Sequence, residues 1–183
     1  MNRAVFLDRD GTVNVEKDYL IRSEDFEFEK HVPETLKFLY DKGFLLIVVT
    51  NQSGIARGYY TETDLDELNR HMMSIVNKNG FRFAGIYYCP HHKDGIVDRY
   101  AVECGCRKPG TELIEKAAKE HNIDLSVSYM IGDKESDIEA GKRAGMTTVL
   151  VGTGHGKATK SSYSGYDHFF QNISGIIALI NRE

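Results

Sequence analysis

Five short, almost uninterrupted apolar runs recur along the chain, at residues 4–7, 44–49, 85–88, 129–131 and 147–151. Each stops at polar, cysteine or glycine positions: Asp8, Thr50-Asn51, Cys89, Gly132-Asp133 and Gly152. Continuous rather than alternating hydrophobicity is expected of parallel strands covered on both faces. Between the runs the period changes to that of a helix. Residues 33–42 carry Leu36, Leu39 and Tyr40, with Pro33 in the first turn and Gly43 as the stop. Residues 62–79 carry Leu65, Leu68, Met72, Ile75 and Val76, with Thr61 as N-cap and Gly80 as terminator. Residues 109–121, 136–144 and 174–182 follow the same plan. Alternating strands and helices predict an α/β fold, a doubly wound, mainly parallel Rossmann-like sheet with helices on both faces. The polar stretch over residues 84–110 interrupts this rhythm as a long loop, with the cysteine-rich part at 89–108, and such loops commonly carry function or are stapled.

Composition narrows the classes. With 183 residues, one domain spanning 1–183 is expected. A chain 41% hydrophobic with a net charge of −4 is folded rather than disordered, and it has no basic field for nucleic acid. The longest apolar run, 44–49, is far below the roughly 20 residues of a membrane span. The first residues do not read as a signal peptide, so the expected setting is the cytoplasm. Three cysteines crowded into positions 89–106 are poor material for disulfides and better material for a metal.

Ligands of open parallel sheets bind at the carboxyl ends of the strands. The polar residues predicted there are Asp8, Asp10, Thr12, Thr50, Asn51, Asp133 and Asp137, and Lys108 precedes the helix between the third and fourth strands. Converging carboxylates repel one another unless a cation neutralises them, and hard oxygen donors select Mg2+. A carboxylate beside Mg2+ and a lysine can attack a phosphoryl group, and a second one two residues on can protonate the leaving alkoxide. Taken singly, each aspartate would read as an ordinary loop cap.

Asp8-Arg9-Asp10-Gly11-Thr12-Val13 resembles the first motif of the haloacid dehalogenase (HAD) phosphatases. Thr50, Lys108 and Gly132-Asp133-Lys134-Glu135-Ser136-Asp137 are similar to the second, third and fourth motifs, in the same order. The resemblance implies Asp8 as nucleophile, Asp10 as general acid/base, and Thr50 and Lys108 as stabilisers of the phosphoryl group. It implies Mg2+ held by Asp8, Asp133 and the Asp10 carbonyl, with Asp137 supporting.

Cys89-Pro90-His91-His92, followed by Cys104-Gly105-Cys106, offers three thiolates and an imidazole, the donor set of a structural zinc site. Half of the ten cysteines and histidines lie in these 18 positions. From spacing, either His91 or His92 serves. This pattern, running into Arg107-Lys108-Pro109, resembles the zinc loop of the heptose 1,7-bisphosphate 7-phosphatases, which the histidinol-phosphate phosphatases share. The resemblance implies Cys89, His91, Cys104 and Cys106 as structural Zn2+ ligands, fixing a loop that delivers Arg107 and Lys108.

No stretch is long enough to form a separate cap over the site, so loops must set specificity. The same resemblance implies substrate contacts at Glu16, Lys17, Asp18, Tyr19, Asn51, Gln52, Ser53, Arg107 and Lys134. The 16–19 segment departs from a family that often has glycine there. The expected activity is removal of the C7 phosphate from a heptose 1,7-bisphosphate, a small phosphosugar, through an aspartyl-phosphate, on the route to nucleotide-activated heptose for lipopolysaccharide core or related glycan. The expected enzyme is a monomer with no nucleic-acid or membrane partner. Histidinol phosphate is the alternative substrate. A non-enzymatic phosphoacceptor domain is the alternative from another class, but such domains take phosphate on the middle strand and lack the acid/base of Asp10. A zinc-organised binding module would leave the aspartate motifs without a use. The segment after Val151 contains no motif that the sequence makes readable.

Overall fold

A computed structural model describes residues 1–182. Six parallel strands form one sheet in the order β3-β2-β1-β4-β5-β6. They are β1 (Ala4–Leu7), β2 (Leu45–Asn51), β3 (Gly85–Cys89), β4 (Tyr129–Gly132), β5 (Thr147–Val151) and β6 (His168–Phe170). The helices are α1 (Val32–Asp41), α2 (Glu62–Lys78), α3 (Glu112–Glu120), α4 (Glu135–Arg143), α5 (Gly156–Ser162) and α6 (Ile176–Ile180).

Alternation along the central strands divides the core into two layers. Val5 and Leu7 of β1, with Leu46 and Val48 of β2, pack on Leu36 and Leu39 of α1, Met72 and Val76 of α2, and Ile176 of α6. Ala4, Phe6, Ile47 and Val49 point the other way, onto Ile114 and Ala117 of α3 and Ala140 of α4. Both faces of β1 and β2 are therefore buried, which is why their sequences read as continuous apolar runs. Each fully buried aliphatic side chain contributes about 1.5–3 kcal/mol. Helix α2 starts with the expected cap: Thr61 Oγ1 accepts from the Asp64 amide, and the Asp64 carboxylate accepts from the Thr61 amide.

Two elements were not legible in the sequence pattern. β6 is a three-residue edge strand, and α5 is a seven-residue helix rich in Lys, Ser and Thr. Neither is long enough to display a period. The predicted 109–121 helix begins at Glu112, because residues 105–111 are used in turns, and α6 is preceded by a 3-10 turn at Ile173–Gly175. Among the described residues, no helix is long and apolar enough to cross a membrane.

The chain winds outward from β1 in both directions, so the crossovers diverge between β2 and β4. That switch point opens a crevice at the carboxyl ends of β1, β2 and β4.

Candidate active site

The loop after β1 turns tightly on Arg9: the amides of Thr12, Val13 and Asn14 all bond to its carbonyl. Gly11 adopts φ +81°, and a Cβ there would lie 2.4 Å from Asp133 Oδ2. Only glycine lets this loop pass so close to the end of β4. The turn aims Asp8 and Asp10 into the crevice. β4 brings in Asp133, and the first turn of α4 brings in Asp137. One oxygen from each of Asp8, Asp133 and Asp137 can be chosen so that all three lie within 4.8 Å of one another.

Lys108 arrives from the long loop and is almost entirely buried. Its ammonium donates to Asp8 Oδ1 and the Val49 carbonyl, both at 2.7 Å, and pairs with Asp137 Oδ1 at 2.6 Å. Its three protons thus have three acceptors. Burial works against the Lys108 charge, but Asp137 and Asp8 outweigh it and raise its pKa. The carboxylates respond to the same crowding. Burial, with repulsion from Asp137, pushes Asp8 up to about 6 despite Lys108. Burial together with Asp8 and Asp137 pushes Asp133 up to about 8.

The donor set fits a hard divalent cation. Asp133 Oδ2 accepts from the His155 amide at 2.7 Å, while its Oδ1 is buried without a partner. Asp137 is already committed through both oxygens, to Lys108 and to the Lys134 amide at 3.0 Å. Direct ligation therefore falls naturally to Asp8 and Asp133, with Asp137 orienting Lys108.

Asp10 sits in a different environment. Arg9, 1% exposed, forks onto both its oxygens at 3.0 Å. Asn14 Nδ2 and Gln52 Nε2 add bonds of 3.0 and 2.9 Å. Burial alone would raise the Asp10 pKa, but the Arg9 charge and these bonds outweigh it and hold it low. Two carboxyls two residues apart are thereby driven in opposite directions.

The sequence-predicted substrate residues divide into two groups. Glu16, Asp18, Tyr19, Asn51, Gln52, Ser53, Arg107 and Lys134 line a cleft of about 300 Å³ together with Asp10. Lys17 turns outward to the Asp25 carbonyl and Glu27, away from that lining. Several of the lining residues hold other parts of the site. Asn51 brackets the Lys108 backbone, donating to its carbonyl and accepting from its amide. Gln52 donates to Asp10 and Thr50 Oγ1 and accepts from Arg9 and Tyr60. Lys134 pairs with Glu16 at 3.2 Å, and the charges of Asp8 and Asp133 raise its pKa although burial opposes them.

Tyr60, Ser136 and His155 also line the cleft, and sequence reasoning missed them. A signal for His155 was present: glycine at every second position in Gly152-Thr153-Gly154-His155-Gly156, directly after a strand.

The cysteine cluster lies at the end of β3. Cys89, Cys104 and Cys106 have Sγ atoms 3.1–3.5 Å apart, and His91 Nδ1 is 3.3 Å from Cys106 and 3.8 Å from Cys89. These separations exceed a disulfide bond of about 2.05 Å. A tetrahedral ion with Zn–S of about 2.3 Å needs sulfurs only a few tenths of an ångström further apart. His92 instead faces Arg57 and Asp94, so the fourth donor is His91. The loop is braced on α2, where Glu62 accepts from Tyr88 and Tyr100. Arg107 donates back to the His91 carbonyl.

Comparison with known proteins supplies four relationships. A family described as HAD-hydrolase-like matches residues 105–175. The D-glycero-beta-D-manno-heptose-1,7-bisphosphate 7-phosphatase of Haemophilus ducreyi is 48% identical over 83% of this chain and 84% of its own length. The D-glycero-alpha-D-manno-heptose-1,7-bisphosphate 7-phosphatase of Photorhabdus laumondii is 44% identical over 84% of each. Among solved structures, the D,D-heptose 1.7-bisphosphate phosphatase from B. bronchiseptica complexed with magnesium and phosphate aligns with a TM-score of 0.87 and 25% identity, over 98% of both chains.

Proposed function

The chain belongs to the heptose-1,7-bisphosphate 7-phosphatases of the HAD-like hydrolases, and from that premise we propose how its residues act. It is a phosphoric monoester hydrolase that removes the C7 phosphate of D-glycero-D-manno-heptose 1,7-bisphosphate, leaving the 1-phosphate required for nucleotide activation. The names of its relatives favour this sugar over histidinol phosphate. The observation that carries the assignment of roles is the Lys108 ammonium, which lies 100 residues from Asp8 in sequence and joins it to Asp137.

Asp8, oriented by Lys108, attacks phosphorus while the C7 oxygen leaves with a proton from the Asp10 carboxyl. Asp10, now a carboxylate, takes a proton from the water that attacks the aspartyl-phosphate, and inorganic phosphate is released. Arg9, Asn14 and Gln52 favour the ionised form that the second step needs. The dianionic phosphate arriving beside Asp10 favours the protonated form that the first step needs. Thr50 offers a donor to the phosphoryl oxygens, and the buried Lys108 charge offsets the negative charge that gathers on them. Mg2+, held by Asp8, Asp133 and the Asp10 carbonyl, would neutralise the charge gathered there.

Arg107 and Lys134 on the cleft wall supply the cations for the distal phosphate and sugar hydroxyls. Zn2+ on Cys89, His91, Cys104 and Cys106 would clamp the loop that carries Arg107 and Lys108. The chain acts as one domain without a cap, so the cleft loops select the substrate.

The test is Mg2+-dependent phosphate release from both heptose bisphosphate anomers, histidinol phosphate and a sugar-phosphate panel. A heptose bisphosphate should give the highest kcat/KM; a maximum on histidinol phosphate would overturn the reading.

A further inference from the structure

The segment after β5 had no use in the sequence, yet three of its groups close on the two aspartate motifs. Thr153 Oγ1 donates to the Gly11 carbonyl at 2.7 Å. The His155 amide donates to Asp133 Oδ2 at 2.7 Å. Thr159 Oγ1 donates to the Asp133 carbonyl at 2.8 Å. Gly154, at φ +48°, completes the contact. A Cβ on it would come within 2.4 Å of Asp133 Oδ2 and 2.6 Å of Gly11 Cα, and one on Gly11 would meet the same Asp133 oxygen at 2.4 Å. Two glycines from loops about 140 residues apart therefore bracket one carboxylate oxygen.

We propose that the Gly152–Gly156 loop is the positioning device of the metal site, selecting which oxygen and which rotamer Asp133 presents.

The argument follows from how the hydrogen-bonding capacity of Asp133 is used. Its Oδ2 is engaged by the loop amide and enclosed by the Gly11 and Gly154 backbones, whereas its Oδ1 is buried and has no partner. A buried carboxylate oxygen left unpaired is costly unless a ligand completes it. A carboxylate free to rotate about χ2 would present either oxygen. The loop prevents this by occupying one oxygen through the His155 amide. The Thr153 bond acts on the other half of the site. Gly11 donates its amide to the Asn14 carbonyl and accepts from Thr153 at its own carbonyl, so the peptides on both sides of Gly11 are fixed. One of these is the Asp10–Gly11 peptide, whose carbonyl is the third protein ligand in the proposed function. The loop thus holds one ligand, Asp133, directly, and through Thr153 it buttresses the Gly11–Thr12 peptide that adjoins the peptide of a second, without touching the ion. Outer partners of this kind ordinarily change metal affinity by about 10–100-fold.

The inference rests on the phosphatase reading only in taking Asp133 and the Asp10 carbonyl as ligands. Mg2+ binding to the full-length protein, by calorimetry and by the Mg2+ dependence of Tm, separates the two ideas. If the unaltered protein binds no Mg2+, the phosphatase reading itself falls. If it binds, Thr153→Val, which keeps the shape but loses the hydroxyl, should weaken Mg2+ affinity by about 10-fold. Thr153→Ser should restore it, a rescue that a purely packing role would not predict. Gly154→Ala should be more severe; should it fail to fold, the Val and Ser pair still decides. A folded Thr153→Val protein whose Mg2+ titration superimposes on that of the unaltered protein would overturn the proposal, even if its metal-free Tm were lower.

Discussion

Replacing Asp8 with Asn should abolish turnover and at the same time stabilise the metal-free protein. The substitution removes the nucleophile but keeps the shape of the side chain, and Asn Oδ1 can still accept from Lys108 Nζ, now 2.7 Å from Asp8 Oδ1. It also removes one of three carboxyl groups crowded together, the others being those of Asp133 and Asp137. The rise of the Asp8 pKa from an ordinary 3.8 to about 6 measures what ionising this carboxyl costs the fold, the attraction to Lys108 included. About two pKa units correspond to about 3 kcal/mol at neutral pH. For a chain of this length that is a rise in Tm of roughly 6–12 °C. Thermal unfolding at pH 7.5 without Mg2+ would compare the two proteins, and phosphate release from heptose bisphosphate would be measured in parallel. Added Mg2+ should raise the Tm of the unaltered protein and do so far less for Asp8→Asn. Retained turnover would refute the covalent route. An Asp8→Asn protein that is inactive but less stable than its parent without metal would refute the electrostatic argument, since crowding would then not be what raises Asp8.

Purified protein should hold about one zinc per chain by elemental analysis, and Cys106→Ser should lose it along with most activity, because Lys108 lies two residues on; a zinc-free, fully active protein would reject the clamp. Arg107→Ala should raise KM for the bisphosphate far more than for a heptose 7-phosphate, while kcat changes little; equal effects on the two would deny Arg107 the distal phosphate. The metal-free protein should lose stability as pH rises from about 4 to about 8, because folded Asp8 and Asp133 keep protons there that the unfolded chain has released. In urea titrations the slope should be shallower for Asp133→Asn, and an unchanged slope would contradict the reading.

Much of the candidate site was legible because its chemistry sits at strand ends. Asp8, Thr50 and Asp133 follow apolar runs, and the order of the strands in space brings those ends to one crevice. The cysteine spacing likewise pointed to a metal, and the three-dimensional arrangement chose His91 over His92, which pairing distance alone could decide. What the sequence hid was the use of side chains by other side chains. Asn51 and Gln52 read as substrate contacts, yet each is engaged by the backbone of Lys108 or by Asp10, Thr50, Arg9 and Tyr60. Lys17 adjoins cleft residues in sequence but reaches outward to Asp25.

By itself, the sequence determined the periodicities that select strands and helices, and the residue types able to attack, protonate and ligate. These are local properties, written in neighbours a few positions apart. Only the tertiary structure decided that Asp8 and Asp10 titrate in opposite directions, since burial beside Asp137 and the fork of Arg9 act through space. Only it revealed that a glycine-rich loop near residue 154 grips a carboxylate at 133 and a carbonyl at 11. Such contacts join positions far apart in the chain, and no local pattern records a distance that exists only after folding.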